Sequence, residues 1–283
     1  MMATDVFDDR ICALGEGPLW HPERQQLFWF DILGRKLLTR DADGPREWDF
    51  NEHVSAAGWI DATSLLVASA SALVRFDIDT GRHEVVVPLE ADNPVTRSND
   101  GRADPYGGFW IGTMGKQTEP NAGAIYRFFE GDLVEIYRDV TISNAICFSP
   151  DGRTLYFTDT PTRRILRQRL DRSGWPVGGP ELFLDLAANG LNPDGAVVDS
   201  EGCLWNAQWG AARVARYGPD GALMSTFEFP APHVTCPAFG GPGLTTLYAT
   251  TATFGLENPQ DADGITYSIE TGISGQPEHR VKV

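Results

Sequence analysis

What this sequence lacks narrows its function before any motif is read. It contains no apolar run of the ~18 residues that a helix needs to cross a bilayer, so a helical membrane span is excluded. Basic residues are scarce: 23 Lys and Arg stand against 39 Asp and Glu, for a formal net charge of −16. Nucleic acids and anionic membranes are met by basic surface, so neither is expected as a partner. The cysteines, Cys12, Cys147, Cys203 and Cys236, are scattered with no C-x-x-C pair. They read as small buried residues rather than a disulfide framework. Met1–Arg10 has no apolar segment of the secretory kind, which points to the cytoplasm. No segment sustains a 3.6-residue apolar period, and Pro161, Pro176, Pro180 and Pro193 would break long helices. Neither Gly-x-Ser-x-Gly nor a phosphate-binding loop occurs. The histidines (21, 53, 83, 233 and 279) are too dispersed for the usual tetrahedral zinc site.

What is present is a repeat. Turn formers are abundant, with Gly 30 and Pro 19, and 11% aromatic residues suit strands. Glu16, Ser55, Asn99, Asn144, Asp194 and Cys236 each precede a Leu- or Phe-led strand by ten or eleven residues, and they are spaced by 39, 44, 45, 50 and 42 residues. Each repeat reads as three short strands separated by turns, with longer insertions at Lys116–Gly123 and Phe254–Gly264. A period of roughly 40–50 residues with several strands per repeat is the pattern of a β-propeller. The expectation is an all-β fold, a six-bladed β-propeller occupying residues 1–283 as one domain. Residues Val6–Ala13 and the C-terminal residues are expected to close a shared last blade, because an unclosed ring leaves sheet edges exposed.

In a propeller, equivalent positions of every blade converge on the central axis. Four of the six aligned positions carry side-chain oxygen: Glu16, Asn99, Asn144 and Asp194. These are hard donors, suited to Ca²⁺, Mg²⁺ or Mn²⁺. The competing reading is that Asn99-Asp-Gly and Pro193-Asp-Gly are ordinary turns. Phase favours the shared site. Asp151 and Asp220 stand in similar Pro-Asp-Gly triplets, but one lies within a hairpin and the other after a blade, whereas Asp194 precedes its whole blade. Arg97 lies two residues before Asn99, on the same side of an extended segment, where it would hold a substrate oxygen or form a surface ion pair. Trp110, Trp205 and Trp209 read as blade packing, and His53 and His233 as loop residues.

At these residues the chain resembles the SMP-30/gluconolactonase/luciferin-regenerating-enzyme family. The resemblance rests on Leu14-Gly-Glu-Gly-Pro-Leu-Trp20, Arg97-Ser-Asn-Asp-Gly101 with Gly112-Thr-Met114, Ile142-Ser-Asn144, Pro193-Asp-Gly195 with Asp199-Ser-Glu-Gly-Cys-Leu-Trp205, and Phe239-Gly-Gly241. It implies one catalytic divalent metal, drawn from Ca, Zn, Mn, Mg or Fe, on Glu16, Asn144 and Asp194. It also implies substrate contacts at Arg97 and Asn99, and hydrolysis of a sugar aldonolactone to its acid. Some relatives carry an acid after Gly-Thr-Met that touches substrate hydroxyls; the matching position here is Gln117, so substrate preference does not transfer. Asp194 is the expected general base, with Asp100 as the second candidate or else a plain turn residue. The alternatives are a hydrolase of another ester or a phosphotriester, and a non-catalytic metal-binding or interaction propeller.

Overall fold

The computed structural model describes residues 4–283. Successive stretches of chain form six four-stranded antiparallel sheets. The innermost strands are Gly15–His21, Val54–Asp61, Thr96–Ala103, Ser143–Phe148, Asn192–Val198 and Val234–Gly240. Each packs against the innermost strand of the next sheet, and the sixth returns to the first, so the sheets are blades of a closed six-bladed propeller. There is no α-helix among the described residues, only three single turns of 3-10 helix, at Thr160–Thr162, Ala187–Asn189 and Pro242–Leu244.

The ring is held by apolar clusters between blades. A blade is covered on both faces, so its second strand reads as an unbroken apolar run whose alternate residues face opposite neighbours. In Leu27-Phe28-Trp29-Phe30 all four side chains are fully buried. Phe28 and Phe30 join Val54, Leu65 and Val67 of the second blade. Leu27 and Trp29 join Ala238 and Tyr248 of the sixth. Similar clusters fill the other four interfaces.

Closure comes from the N-terminal strand. Asp5–Asp8 pairs antiparallel with Thr266–Glu270 to complete the sixth blade. The last residues behave differently from the expectation. Beyond Glu270 the chain leaves the blade and crosses the floor of the ring. Gln276 Nε2 donates to the carbonyls of Phe148 (3.1 Å) and Val198 (2.9 Å). Glu278 forms a buried ion pair with Arg102, and Val281 N donates to Trp59 O at 2.9 Å. Each blade also has a fourth, outer strand beyond the three read from sequence. Gly44–Asp49 shows why: it alternates half-buried and exposed residues with little apolar content.

Candidate active site

All six innermost strands slip register at the same level, after Glu16, Val54, Ser98, Asn144, Pro193 and Val234. Such bulges re-aim side chains, and the six aligned positions sit at them. Two residues show what the geometry demands. Gly17 has φ 53°, and a Cβ there would lie 2.2 Å from Ser55 O. Ala145, in the equivalent place after Asn144, adopts φ 57° although it is not glycine. A non-glycine residue in the left-handed region is backbone strain held by its surroundings.

Glu16 (first blade), Asn144 (fourth) and Asp194 (fifth) line one cavity of about 240 Å³ at the end of the channel opposite the C-terminal floor. Arg97 and Asn99 from the third blade share it, with Leu14, Met114, Thr118, Ile142, Thr160, Asn192, Trp209 and Phe254. Ser55 and Cys236, the aligned positions without a strong oxygen donor, are buried but outside the lining. Ser55 Oγ instead donates to Asn99 O at 2.6 Å.

A hydrogen-bond chain fixes the amides. Thr160 Oγ1 donates to Pro193 O at 2.8 Å, so its oxygen must accept from Asn144 Nδ2 at 3.0 Å. That leaves Asn144 Oδ1 turned the other way, where it accepts from Asn99 Nδ2 at 3.1 Å. Asn99 Nδ2 also donates to Ser143 O at 2.8 Å, and Asn99 Oδ1 accepts from Arg97 Nη1 at 2.8 Å. Nε and Nη2 of Arg97 have no protein partner among the described residues.

The carboxylates are the decisive feature. Glu16, Asp100 and Asp194 are all buried, and none makes an ion pair with a described residue. Of the other buried aspartates, Asp8, Asp104 and Asp199 each face an arginine, and Asp31 and Asp263 accept backbone N–H bonds. Burying an unpaired carboxylate costs several kcal/mol (of order 3–5 where a partner has been removed). Burial, then the charge of Asp100, pushes Glu16 up to about 8, against the Gly17 N–H and Arg97. Burial, then Glu16 and Asp100, raises Asp194 well above the usual carboxylate range. Burial brings Asp100 to about 6, although Ile146 N donates to its Oδ2 at 2.7 Å. Arg97 is itself lowered to about 10, because burial outweighs the attraction of Glu16 and Asp194. A single arginine therefore does not balance the group. Two carboxylates and an amide oxygen converging in a buried site fit a hard divalent cation, which would relieve their repulsion.

Some expected residues lie elsewhere. Gln117 is exposed and outside the cavity; its backbone N–H donates to Glu119 Oε2 at 2.9 Å, and the neighbouring Thr118 lines the cavity instead. Asp100 also lies outside the lining, tied to Ile146. Trp110 and Trp205 pack between blades, but Trp209 reaches the cavity, and His233 stacks on it with ring centroids 3.9 Å apart. Thr160 carried no signal beyond its place after a second strand; Met114, within Gly112-Thr-Met114, and Phe254, at the head of the Phe254–Gly264 insertion, were visible in the sequence without being placed at the cavity.

One other acidic cluster, Asp199, Glu201 and Cys203, has ligand-type atoms close together. Its chemistry is already satisfied. Asp199 Oδ1 accepts from the backbone of Glu201 and Cys203 (2.9 Å each), and Oδ2 accepts from Trp205 Nε1 and Arg216 Nε (2.8 Å each). The third blade repeats this arrangement with Asp104, Trp110 and Arg127. The cluster is a turn brace shared by two blades.

A family model described as SMP-30/Gluconolactonase/LRE-like region matches residues 14–253. The pentonolactonase XacC of Haloferax volcanii is 34% identical over 100% of this chain and 99% of its own. The L-arabinolactonase of Azospirillum brasilense is 37% identical over 92% of this chain and 88% of its own. Among solved structures, a calcium-binding protein, regucalcin, from Agrobacterium tumefaciens str. C58 superposes with a TM-score of 0.96 at 38% identity, covering 100% of this chain and 98% of that one.

Proposed function

The chain belongs to the SMP-30/gluconolactonase/LRE-like family, and on that premise we propose that it hydrolyses a sugar lactone to the sugar acid with the help of a divalent cation. The observation that carries the reading is the set of buried carboxylates with no ion pair, Glu16 and Asp194 lining a cavity that also holds Arg97. Names of relatives at 34% and 37% identity, a pentonolactonase and an L-arabinolactonase, agree with it. No helix of the described residues is long and apolar enough to cross a membrane.

Glu16, Asn144 and Asp194 would hold the ion. When bound, such a cation supplies charge that polarises a carbonyl and lowers the pKa of water. Asp194 then takes the proton of the water attacking the lactone carbonyl. As a carboxylate that would hold the ion, Asp194 stands within reach of a water beside it. The unengaged guanidinium nitrogens of Arg97 orient substrate oxygens, and Asn99 braces both Arg97 and Asn144. As the bond from carbonyl carbon to ring oxygen breaks, the ring oxygen receives the proton from Asp194. The hydroxy acid leaves and ionises at neutral pH.

The test is a pH-indicator assay of pentono-, hexono- and aldarolactones before and after chelation, with spontaneous opening subtracted. Turnover that is lost with the metal and restored by Mn²⁺ or Ca²⁺ supports the reading. Full turnover by chelated protein overturns it.

A further inference from the structure

We propose that Trp209 and Phe254 form a subsite for the uncharged, carbon-rich end of the lactone, and that the loop carrying Phe254 rejects lactones with an anionic group at that end. The proposal rests on the lactonase reading and names the substrate class within it. In a ring of six blades in chain order, the third lies opposite the sixth. Arg97 and Asn99 come from the third blade, so the hydroxyl-binding side of the cavity faces the sixth, beside its junction with the fifth. At that junction two aromatic side chains, Trp209 and Phe254, line the cavity. Trp209 ends the second strand of the fifth blade, and His233 backs its ring at 3.9 Å with an interplanar angle of 19°. His233 Nδ1 is 2.9 Å from Phe254 O, tying the rim loop to the stack. Phe254 lines the cavity yet leaves 54% of its surface exposed. An exposed aromatic ring at a cavity rim is apolar surface awaiting a contact.

Charge points the same way. The rim loop from Ala252 to Ile265 carries no Lys or Arg to pair an anion, and its acids Glu257, Asp261 and Asp263 lie outside the cavity lining. An aldarate carboxylate, a phosphate or a sulfonate placed there would lose hydration against an apolar wall with no loop cation to replace it. A methyl, a hydrogen or a hydroxymethyl group would not.

The experiment compares kcat/KM for pentono- and hexono-1,4-lactones with that for an aldarolactone and a 6-phosphohexonolactone, using the metal-loaded protein. The wild type should prefer the uncharged lactones by at least roughly tenfold. Phe254→Lys, at an exposed position that tolerates substitution, should narrow that ratio by raising kcat/KM for the anionic lactones. Trp209→Ala should lower kcat/KM for uncharged lactones about tenfold, mainly through KM, with Trp209→Phe recovering much of it and Mn²⁺ affinity unchanged by calorimetry. Ratios that stay the same in Phe254→Lys, or a wild type that prefers anionic lactones, overturn the subsite while leaving the lactonase reading intact. A wild type that opens no sugar lactone overturns both.

Discussion

Asn99 Nδ2 donates to Asn144 Oδ1 at 3.1 Å, so the residue proposed to face substrate also aims the residue proposed to hold the cation. The link runs from Arg97 through Asn99 and Asn144 to Thr160 and ends on the backbone of Pro193, the residue before Asp194. Second-layer bonds of this kind orient the ligands they touch. Asn99→Ala should therefore weaken Mn²⁺ binding roughly tenfold or more and raise KM. Arg97→Ala, one bond further away, should raise KM with a smaller change in Mn²⁺ affinity. Titration calorimetry and steady-state kinetics on both variants separate the two effects.

The floor of the ring carries a different prediction. Glu278 is the ion-pair partner of the buried Arg102 and holds its guanidinium charged against the opposing effect of burial. Glu278→Ala leaves that charge unpaired and should cost about 3–5 kcal/mol, read as a lower urea midpoint at unchanged slope. The double variant Arg102→Leu/Glu278→Leu should recover most of the loss, because an apolar pair removes the desolvation problem altogether.

Ring closure should respond to acid. Burial raises the Asp8 carboxyl, but hydrogen bonds from Arg10 and Arg40 outweigh burial and hold it below its ordinary value of 3.8. A depressed carboxylate stabilises the fold above its unfolded pKa, and that contribution disappears as pH falls through the folded value. Asp8→Asn should thus be less stable than wild type by about 2 kcal/mol at pH 7. The gap should close as pH drops below about 3.8, the ordinary carboxylate value. Urea melts across this range provide the check.

The turn brace should be structural only. Asp199→Ala strips the partners of Trp205 Nε1 and Arg216 and should destabilise by about 3 kcal/mol. The number of Mn²⁺ ions bound per chain should not change, which calorimetry on the folded variant reads directly.

Much of this architecture was legible in the sequence, because propeller blades repeat and phase is countable. Leu27, Phe109, Leu155 and Leu204 could be aligned through their turns, which grouped Glu16, Asn99, Asn144 and Asp194; the narrower set of Glu16, Asn144 and Asp194 came from the family resemblance. The outer strands were hidden because a half-solvated strand such as Gly44–Asp49 has too few apolar residues to show a period. The C-terminal crossing was hidden because its anchor, Glu278 to Arg102, joins residues 176 positions apart. Trp209 and Gln117 show the limit from two sides. Whether a residue at the end of a strand faces the cavity or solvent depends on the path of the following loop, which neither spacing nor residue type encodes. Asp100 is similar: as a turn aspartate it would be exposed, and the bulge buries it against Ile146 N instead.

In the proposed function, Glu16, Asn144 and Asp194 converge to hold one divalent cation. Anomalous diffraction from a crystal soaked in Mn²⁺, beside one of Asp194→Ala, reads this out. The expected result is a single strong peak among those three side chains, absent from the variant while its propeller is unchanged. A soaked wild-type crystal with no peak there, or with its peak at Asp199 and Glu201 instead, would contradict it.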